Sequence, residues 1–564
     1  MAVHIPVLDI PRTEFLQRPK PLLRPRKLAQ WLDSLPAANM VESGRALIRQ
    51  LHLMNFSAYA AEERGALLRT LRPRVEGLIR TLTHELRQVT VPPSRSEETL
   101  AQVRQQLVNE LAAGYKLIVS ELALTEAHNN GSRRLLHEAL FMAVKLLAWQ
   151  IAGAYQLYQP EPVGAWRELN ELARYSEQCG LHEEKFDDGS PQAEQLHCID
   201  QLYKQILLLA LTEPYNLMQG EAWEAYTFAG LWVEWLELQS ANRLAMEGEF
   251  VIDYGRDSGP WYCSADDLPD DGRVLDLRPL REKINLSVSH ALRMSRQQAG
   301  SPHALQLRQQ RDMLLRIAEA WESVQARKAP RRTVSARIQV VTGLNACHYY
   351  SSRKREFTPE MDELRIRTQR DEARTDEPGR DPSRSAEVFV SAYREALRKD
   401  RRHAHGHYTR IPLSQNNISK HGMAITFVPD GSGATPSHVG ELVAYRLGLR
   451  PGERWHIGVV RWLRQDAARG VEAGIMHIAQ TSVPVAVRAT AGPGAGTDYF
   501  RALLVPKQVS IQQRRSLIVP AALYDVGTQL TVNLGKRLFE VRLSHMLLST
   551  PLFALYEFTD PGDD

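Results

Sequence analysis

Two short strings of residues carry side chains that could bind a nucleotide. Arg327 and Arg331 are four positions apart, and the second string runs from Asn417 through Ser419 to Gly422. A guanidinium group can hold a phosphate, or the O6 and N7 atoms of guanine, through two parallel hydrogen bonds. Asn417 offers an amide and Ser419 a hydroxyl, while a glycine at position 422 permits a positive φ or a close backbone approach. Together the two strings predict a site for a guanine nucleotide.

The two-arginine pattern has little specificity by itself, because it recurs in this chain. Context selects Arg327 and Arg331, since residues 332–341 follow at once and alternate in the manner of a β-strand. Arg332, which begins that strand, is included in the candidate site. Further copies lie at Arg370/Arg374, Arg380/Arg384, Arg394/Arg398 and Arg398/Arg402. The last copy is an alternative site, and a solvated linker followed by a plain β-turn is another interpretation of the two strings.

The two strings, in this order, resemble the paired Arg-x-x-x-Arg and Asp/Asn-x-Ser-x-x-Gly signature of PilZ domains. Residues 458–462, a turn and residues 471–475 also look like the late hairpin of that family. The resemblance covers residues 327–484 and implies a small antiparallel β-barrel whose ligand is the bacterial messenger cyclic di-GMP. It implies ligand contacts from the following residues: Arg327, Arg331, Arg332, Asn417, Ser419 and Gly422.

Short β-type runs separated by turns support a barrel over residues 327–484. The runs cover residues 423–428, 441–446, 455–462 and 471–478, and the turns between them contain Asp-Gly-Ser-Gly, Pro-Gly and Ala-Arg-Gly. PilZ domains normally bring their two motifs closer together than this chain does. The difference is an insertion at residues 351–404, within the predicted barrel.

The insertion is rich in Arg, Asp, Glu, Pro and Ser and has few large apolar residues. Such a composition cannot bury enough apolar surface to offset the entropy of ordering, so we expect the segment to be mostly disordered and dispensable for folding. A short helix at residues 386–397 is possible. The alternating His403, His405 and His407 could bind a transition metal, but a hydrogen-bonded polar tract is the favoured interpretation.

Upstream, an extended basic arm at residues 1–26 precedes a helical domain at residues 27–242. Apolar residues recur there at steps of three and four, and Ser94 with Glu97 forms a capping box before one such run. Trp166 is predicted to lie in the core. A helical bundle or solenoid with no chemistry of its own typically binds protein, so we expect a protein partner here.

The remaining segments complete a multidomain α + β architecture. Residues 243–326 should contain a hairpin, with its turn at Asp257–Pro260, and a connecting helix from about 304 to 326. Residues 485–564 contain further short strands and predict a second β-domain. The predicted order is an all-helical bundle or solenoid, a PilZ-like antiparallel barrel and a second β-unit.

Composition narrows the class of protein. The 564 residues are 43% hydrophobic and 24% charged, with a net charge of +4, which argues against bulk nucleic-acid binding. The four cysteines lack the spacing of metal or disulfide sites, as in a reducing compartment. The start lacks signal-peptide features, and no apolar run approaches the ~20 residues of a membrane helix. These features predict a cytoplasmic protein.

No catalytic set emerges from the residues, so an enzyme, a cofactor and a metal are not expected. The leading hypothesis is a cyclic di-GMP receptor that couples a messenger-binding barrel to a helical partner-binding domain. A scaffold or chaperone-like protein with a nucleotide-free barrel is the alternative. An RNA-binding regulator is disfavoured by the modest net charge.

Overall fold

The fold is described from a computed structural model of the chain. The described residues are 4–11, 25–36, 38–125, 129–189, 196–240, 249–263, 269, 271–297, 304–322, 331–355, 357–360, 362, 363, 366, 408–428, 435–447, 454–466, 470–507, 515–535 and 537–560. They group into two units. The first unit comprises residues 1–285 and 316–324, and the second comprises residues 286–315 and 325–564.

Helices dominate the first unit, which confirms the predicted helical region. Their caps are the polar residues that satisfy free backbone N–H groups at a helix start. Ser94 and Glu97 form the predicted capping box, with the Ser94 N–H donating to Glu97 over 2.7 Å. The helices are α1 Pro25–Asp33, α2 Met40–Asn55, α3 Ala61–Glu85, α4 Arg95–Ala123, α5 Asn130–Gln156, α6 Ala165–Gln178, α7 Ile199–Ala210 and α8 Glu221–Gly230.

α5 is a core helix that packs against α4, α6, α7 and α8. An 18-residue stretch of it has a mean hydropathy of 1.4 and is 94% buried inside the structure. The helix is therefore long and apolar enough by composition to cross a membrane, contrary to the expectation from the sequence. A helix that is apolar on all sides belongs either in a protein core or in a membrane. Here protein covers it.

The described part of the N-terminal arm, residues 4–11, contains no helix or strand and contacts α6. The His4 ring nitrogen Nε2 lies 2.8 Å from Glu171 Oε2, and the Asp9 N–H donates to Glu168. Glu168 also accepts from Lys116 Nζ over 2.7 Å, so this buried carboxylate joins the arm, α4 and α6. Trp166, in the same helix, is 1% exposed, as predicted.

A small antiparallel sheet completes the first unit. Its strands are β1 Glu237–Ser240, β2 Glu249–Asp253, β3 Trp261–Cys263 and β4 Gly272–Asp276, in the order β1-β4-β2-β3. β2 and β3 form the predicted hairpin. In its turn, the Asp257 carboxylate accepts from the N–H groups of Gly164 (2.6 Å) and Arg167 (3.1 Å) at the start of α6. Asp257 therefore caps a helix.

Two further helices, α9 Arg278–Gln297 and α10 Ala304–Glu322, follow the sheet. α10 confirms the predicted connecting helix, and its last residues belong to the first unit. Trp321 is fully buried there, with its ring edge against Trp232 at 5.6 Å, and its carbonyl accepts from Arg281 Nε over 2.8 Å. Earlier in α10, Arg308 belongs to the second unit and pairs with Asp525 over 3.2 Å.

The second unit contains two closed six-stranded barrels, which confirms the predicted PilZ-like barrel and second β-unit. The order in the first barrel is β10-β7-β6-β5-β8-β9. A short helix, α11 Leu344–Ser351, follows its first strand and was not predicted. The strands are β5 Arg332–Thr342, β6 Ile411–Ile418, β7 Gly422–Phe427, β8 Leu442–Arg446, β9 His456–Asp466 and β10 Gly470–Ala479.

The second barrel follows β10 after three residues and has the order β11-β12-β13-β16-β15-β14. Its core is mainly apolar, with Val487, Leu530 and Val541 fully buried, and it also contains the buried rings of Tyr524 and Tyr556. The strands are β11 Val483–Ala491, β12 Phe500–Val505, β13 Ser516–Pro520, β14 Gln529–Asn533, β15 Leu538–Ser549 and β16 Phe553–Thr559.

The two barrels share one apolar cluster, which also contains residues of α11. The first barrel contributes Val341, Ala444 and Ile457, and the second contributes Leu503 and Phe553. All five side chains are fully buried. Val341 therefore lies on the face of β5 that packs into this shared cluster, where α11 also contacts β5. Because successive strand residues point to opposite faces, Val340 must point into the first barrel.

The first residues of the charged insertion pack against the second barrel. The Phe357 ring lies under the Arg501 guanidinium at 4.7 Å, and Glu363, 8% exposed, pairs with Arg488 over 3.2 Å. The prediction was a mostly disordered segment from residue 351 onward, whereas these first residues pack through cation–π and ionic contacts with partners outside the segment. Residues 367–407, including the possible helix and His403, His405 and His407, lie outside the described residues.

Candidate functional site

The structure brings the described motif residues together at one end of the first barrel. β5 pairs with β6 so that Arg332 lies opposite Ile418 and Thr333 lies opposite Asn417. Arg331 directly precedes β5, while the turn that contains Ser419 joins β6 to β7. Arg327 and the alternative pair Arg398 and Arg402 lie outside the described residues.

The Ser419–Gly422 turn is fastened by its own hydrogen bonds. The backbone N–H and the hydroxyl of Ser419 both donate to the Gly422 carbonyl, over 2.7 and 3.1 Å. The Ser419 hydroxyl also accepts from the His421 N–H over 3.3 Å. Ser419 therefore fixes the conformation of the turn, and this conformation sets the direction of the Ser419 carbonyl.

Asn417 has one end anchored and the other available. Its Oδ1 accepts from the Ala424 N–H over 3.2 Å, which ties β6 to β7. Within the described residues its Nδ2 group makes no hydrogen bond, so both of these N–H donors are available to a ligand. An amide oriented in this way can donate to a guanine edge or a phosphate oxygen.

Gly422 is needed because another backbone comes close. A Cβ at this position would lie 2.4 Å from the Ile475 carbonyl oxygen in β10. Its φ does not lie in the positive range. Of the two reasons considered for a glycine here, the close approach is the one the structure shows.

Cations at this end of the barrel are exposed and have no anionic partner among the described residues. Arg331, Arg332 and Lys420 are all exposed and form no ion pair in that part of the chain. Together with the Asn417 amide they form a set of hydrogen-bond donors that have no acceptor in the described part of the chain. Such a set suits an anionic ligand with acceptor-rich bases, such as a guanine dinucleotide.

Three rings behind the motif turn were not identified from the sequence. Tyr445 lies opposite both Val340 and His456, while His477 lies opposite Gly458, so all three side chains point into the first barrel. The Tyr445 ring stacks on the His456 ring at 5.3 Å and 18°, and its hydroxyl is 2.6 Å from His477 Nδ1. Period-2 alternation along β8, β9 and β10 is the signal that could have found them.

His477 is also attached directly to the motif turn. Its backbone N–H donates to the His421 carbonyl over 2.9 Å. Burial, with smaller contributions from the neighbouring His456 and His421, lowers the pKa of His477 to about 4. The ring is therefore neutral at neutral pH, with one nitrogen that donates and one that accepts.

The other end of the barrel holds buried titratable groups that do not contact the motif residues. Burial raises the pKa of Glu441 to about 7 and lowers that of His348 to about 4. Burial also raises the pKa of Cys347, whose thiol faces the Leu442 carbonyl. No cluster of three or more His, Cys, Asp or Glu side chains that could hold a metal is found in the described part of the chain.

Comparison with protein-family models gives three matches in chain order. Residues 26–243 match the N-terminal domain of the cyclic-di-GMP receptor FimW, and residues 249–484 match its middle PilZ domain. Residues 485–561 match the FimW C-terminal beta-barrel domain. The middle match contains both motif strings.

A similar protein is the cyclic-di-GMP receptor FimW of Pseudomonas aeruginosa strain PAO1. It is 27% identical to this chain over 566 aligned residues, which cover 95% of this chain and 90% of the relative. No solved structure matches the chain. Because all three domain models of one family match in order, from residue 26 to residue 561, the chain belongs to the FimW family and contains its PilZ domain.

Proposed function

We propose that the protein is a receptor for cyclic di-GMP and that it binds the messenger at the motif end of the first barrel. The observation that carries the proposal is a set of donors at this end, on Arg331, Arg332, Lys420 and Asn417 Nδ2, that have no partner among the described residues. The similarity to a cyclic-di-GMP receptor over nearly the whole chain supports the same ligand.

Each residue has a chemical role in the proposed site. Arg331 and Arg332, together with Arg327, contact phosphodiester oxygens and the O6 and N7 atoms of guanine. Asn417 donates its amide to a base edge. Gly422 allows the motif turn to lie close to β10. This close approach keeps Ser419 in a fixed position at the end of the barrel.

The test is calorimetric titration of the full chain with cyclic di-GMP. We expect a Kd in the low micromolar range or tighter, and Arg327→Ala or Arg331→Ala should each weaken binding about ten- to a hundredfold, the cost of roughly 1.5–3 kcal/mol for one charge-assisted contact. The exposed Arg537→Ala in the second barrel is the matched control. Unchanged affinity in both motif variants would refute the assignment, and a loss in Arg398→Ala or Arg402→Ala would move the site to that pair.

The alternative function, a scaffold or chaperone-like protein with a nucleotide-free barrel, predicts a flat titration for the wild-type chain. We propose a receptor rather than an enzyme, because the groups at the motif end that have no partner among the described residues, on Arg331, Arg332, Lys420 and Asn417 Nδ2, are hydrogen-bond donors. The same titration at higher salt should weaken binding, since charge pairing with phosphates is screened.

We further propose that the messenger signal reaches a protein partner through the helical domain. Trp321 anchors α10 in the first unit, and Arg331 follows it by only ten positions in the chain. The first unit also contains a cavity of about 560 Å³, lined in part by Tyr155, Tyr215 and Trp261. Such an aromatic-lined cavity offers a place where a partner side chain could anchor.

A cytoplasmic location is part of the proposal. All four cysteines, Cys179, Cys198, Cys263 and Cys347, are free thiols in the structure. Free thiols are typical of a reducing compartment. Cell fractionation followed by immunoblotting tests this location, and recovery with the membrane pellet after a salt wash would contradict it.

A further inference from the structure

The aromatic cavity of the first unit lies between the end of α5, the end of α7 and the turn of the β2–β3 hairpin. Its lining combines three rings, Tyr155, Tyr215 and Trp261, with two prolines, Pro214 and Pro260. Its volume of about 560 Å³ falls within the range of about 300–1,000 Å³ that ligand sites occupy. Grooves lined by aromatic side chains are the surfaces on which extended, proline-containing segments dock.

The hairpin turn that forms one wall of the cavity is fixed to α6. Asn170 Nδ2 donates to the Arg256 carbonyl over 3.2 Å, and the Asp257 carboxylate caps the start of the helix. Gly259 lies so close to the Trp166 ring that an added Cβ would be 2.8 Å from its Cζ2 atom. The wall is therefore formed before anything binds, which lowers the entropic cost of binding.

The cavity favours a cationic occupant. Glu161 accepts a hydrogen bond from the Tyr155 hydroxyl and forms no ion pair in the described part of the chain. Asp257 adds a second carboxylate to the lining. Arg256 supplies one cation, and its guanidinium lies over the Trp261 ring at 4.7 Å. Negative charge thus exceeds positive charge among the described lining residues, which is complementary to a basic segment.

The N-terminal arm runs along α6 toward this cavity. The His4 N–H donates to Gln178 Oε1 over 2.9 Å at the end of α6, whereas the Asp9 N–H donates to Glu168 near the start of that helix. From Glu168 to the start of α6 is about 5 Å, at about 1.5 Å per residue. Asp257 of the cavity wall is bonded at that start. The arm is therefore directed at the cavity where its described part ends, two residues after Asp9.

The segment that follows in the sequence has the composition that such a cavity selects. Residues 18–24 read Arg-Pro-Lys-Pro-Leu-Leu-Arg, with three cations, two prolines and no acidic residue. Because proline restricts the residue before it to extended backbone, the string Arg-Pro-Lys-Pro favours a polyproline II conformation. The six residues between the arm and this string, 12–17, can span about 20 Å when extended. Residues 12–24 lie outside the described residues.

We propose that the aromatic cavity binds residues 18–24 of the same chain. Pro19 and Pro21 pack on the aromatic rings, and the cation of Arg18 or Lys20 pairs with Glu161. The segment is tethered by the arm on α6 at one end and by α1, which packs against α3, at the other. Such tethers give an effective concentration in the millimolar range, so a weak intrinsic affinity is enough to fill the cavity. A protein partner that anchors in the same cavity must displace this segment.

The test is binding of a fluorescein-labelled peptide of residues 16–26 to the full chain, measured by fluorescence anisotropy. The tethered segment competes with the peptide in the wild type. The double variant Pro19→Ala/Pro21→Ala should therefore bind the peptide about tenfold more tightly, the ratio for an intrinsic Kd of about 0.1 mM and an effective concentration of about 1 mM. In that double variant, Glu161→Gln should weaken peptide binding about two- to fivefold, the effect of one partly exposed ion pair. The exposed Glu62→Gln in α3 is the matched control.

Equal peptide affinity of the wild type and the double proline variant overturns the proposal, and so does the absence of peptide binding to that variant. Binding that neither Glu161→Gln nor Trp261→Ala weakens places the peptide elsewhere and also overturns it. Glu161→Gln keeps the shape of the side chain, so it carries the test alone if Trp261→Ala does not fold.

A second readout locates the segment in the otherwise unchanged chain. With Leu22→p-benzoylphenylalanine, illumination should give an intramolecular cross-link to residues 214–215 or 256–261, identified by mass spectrometry. Cross-links confined to other regions overturn the proposal. Cross-links between isotope-labelled and unlabelled copies in a mixed sample also overturn it, because the occupant would then come from a second chain. Neither readout involves cyclic di-GMP, so this proposal and the proposed function can fail separately.

Discussion

At the scale of single residues, two glycines differ in whether the surrounding structure leaves room for a Cβ atom. The backbone of β10 faces Gly422, with the Ile475 carbonyl oxygen 2.4 Å from an added Cβ, whereas Gly77 in α3 has nothing within 4 Å. A backbone atom cannot move aside as a flexible side chain can. The same Gly→Ala change should therefore have opposite signs at the two positions.

We expect Gly422→Ala to lower the free energy of unfolding by roughly 1–3 kcal/mol, as overpacking does. Gly77→Ala should raise it by roughly 0.5–1 kcal/mol, because alanine is the better helix former. Urea denaturation of both variants provides the measurement. Stability of Gly422→Ala equal to that of the wild type would show that β7 and β10 can separate without cost.

Glu441 gives a residue-scale prediction for pH. Burial raises its pKa to about 7, above the value of 4.5 for an unperturbed glutamate, so the folded protein disfavours the ionised form. Stability should therefore fall as pH rises from about 4.5 through about 7. Glu441→Gln should remove this loss and stabilise the protein more at pH 8.5 than at pH 5.5, by roughly 2 kcal/mol.

Thermal unfolding at the two pH values checks the Glu441 prediction, with the exposed Glu540→Gln as control. The variant keeps an oxygen for the Ser437 N–H, which donates to Glu441 Oε2 over 3.0 Å. The opposite pH dependence comes from His348, whose pKa is lowered to about 4, so stability from this residue is lost as pH falls from about 6.5 through 4. An equal effect of Glu441→Gln on stability at both pH values would contradict the proposed free-energy cost of ionising the buried Glu441.

At the scale of elements, most strands and helices could be predicted because each carries a clear period. β5 alternates, and its predicted range of 332–341 differs from the observed Arg332–Thr342 by one residue. The capping box of α4 could be predicted because two polar residues lie three positions apart in the sequence, next to an apolar run. α11 was missed, since its eight residues are too short to show a helical period.

The candidate site was predictable only where chemistry and spacing coincide. Asn417, Ser419 and Gly422 lie close together in sequence, and the register of β5 and β6 places Arg332 beside them. Tyr445 and His477 are 32 positions apart and meet only because the barrel closes. Closure and register are tertiary properties, so strand alternation can mark each ring as inward-facing but cannot pair the two.

The insertion leads to a prediction about elements. Replacement of residues 367–407 by a short Gly-Ser linker should leave the Tm nearly unchanged, because their composition cannot offset the entropy of ordering. Extension of the replacement to residues 357–407 should lower the Tm by several degrees, since it removes Phe357 from Arg501 and Glu363 from Arg488. Differential scanning calorimetry distinguishes the two. Insoluble protein after the shorter replacement would contradict the prediction.

At the scale of the whole molecule, the proposed coupling predicts that ligand narrows or shifts the distribution of distances between the units. Spin labels at Val163 and Val428, both exposed, report on it after replacement of the half-buried Cys179 by serine. A ligand shifts such an equilibrium only by its differential affinity for the two arrangements. Labels at Val428 and Val526, within the second unit, should report no change.

Tight binding without any change in the Val163–Val428 distances would mean that the helical domain does not respond. The messenger would then act through a surface of the second unit alone. The measurement requires saturating cyclic di-GMP and a parallel sample of Arg331→Ala, in which the distances should stay as in the free protein.

The apolar cluster shared by the two barrels has a consequence for cooperativity. The family models divide this region at residue 484/485, yet Val341 and Ala444 on one side of the boundary lie in the same buried cluster as Leu503 and Phe553 on the other, and α11 packs against strands of both barrels. Neither barrel can open without exposing the other, so the pair should melt as one foldon with a single calorimetric transition. A PilZ fragment that ends at residue 484 would expose an apolar surface to solvent and should self-associate. Truncation at this family boundary would therefore produce an aggregate rather than a minimal receptor.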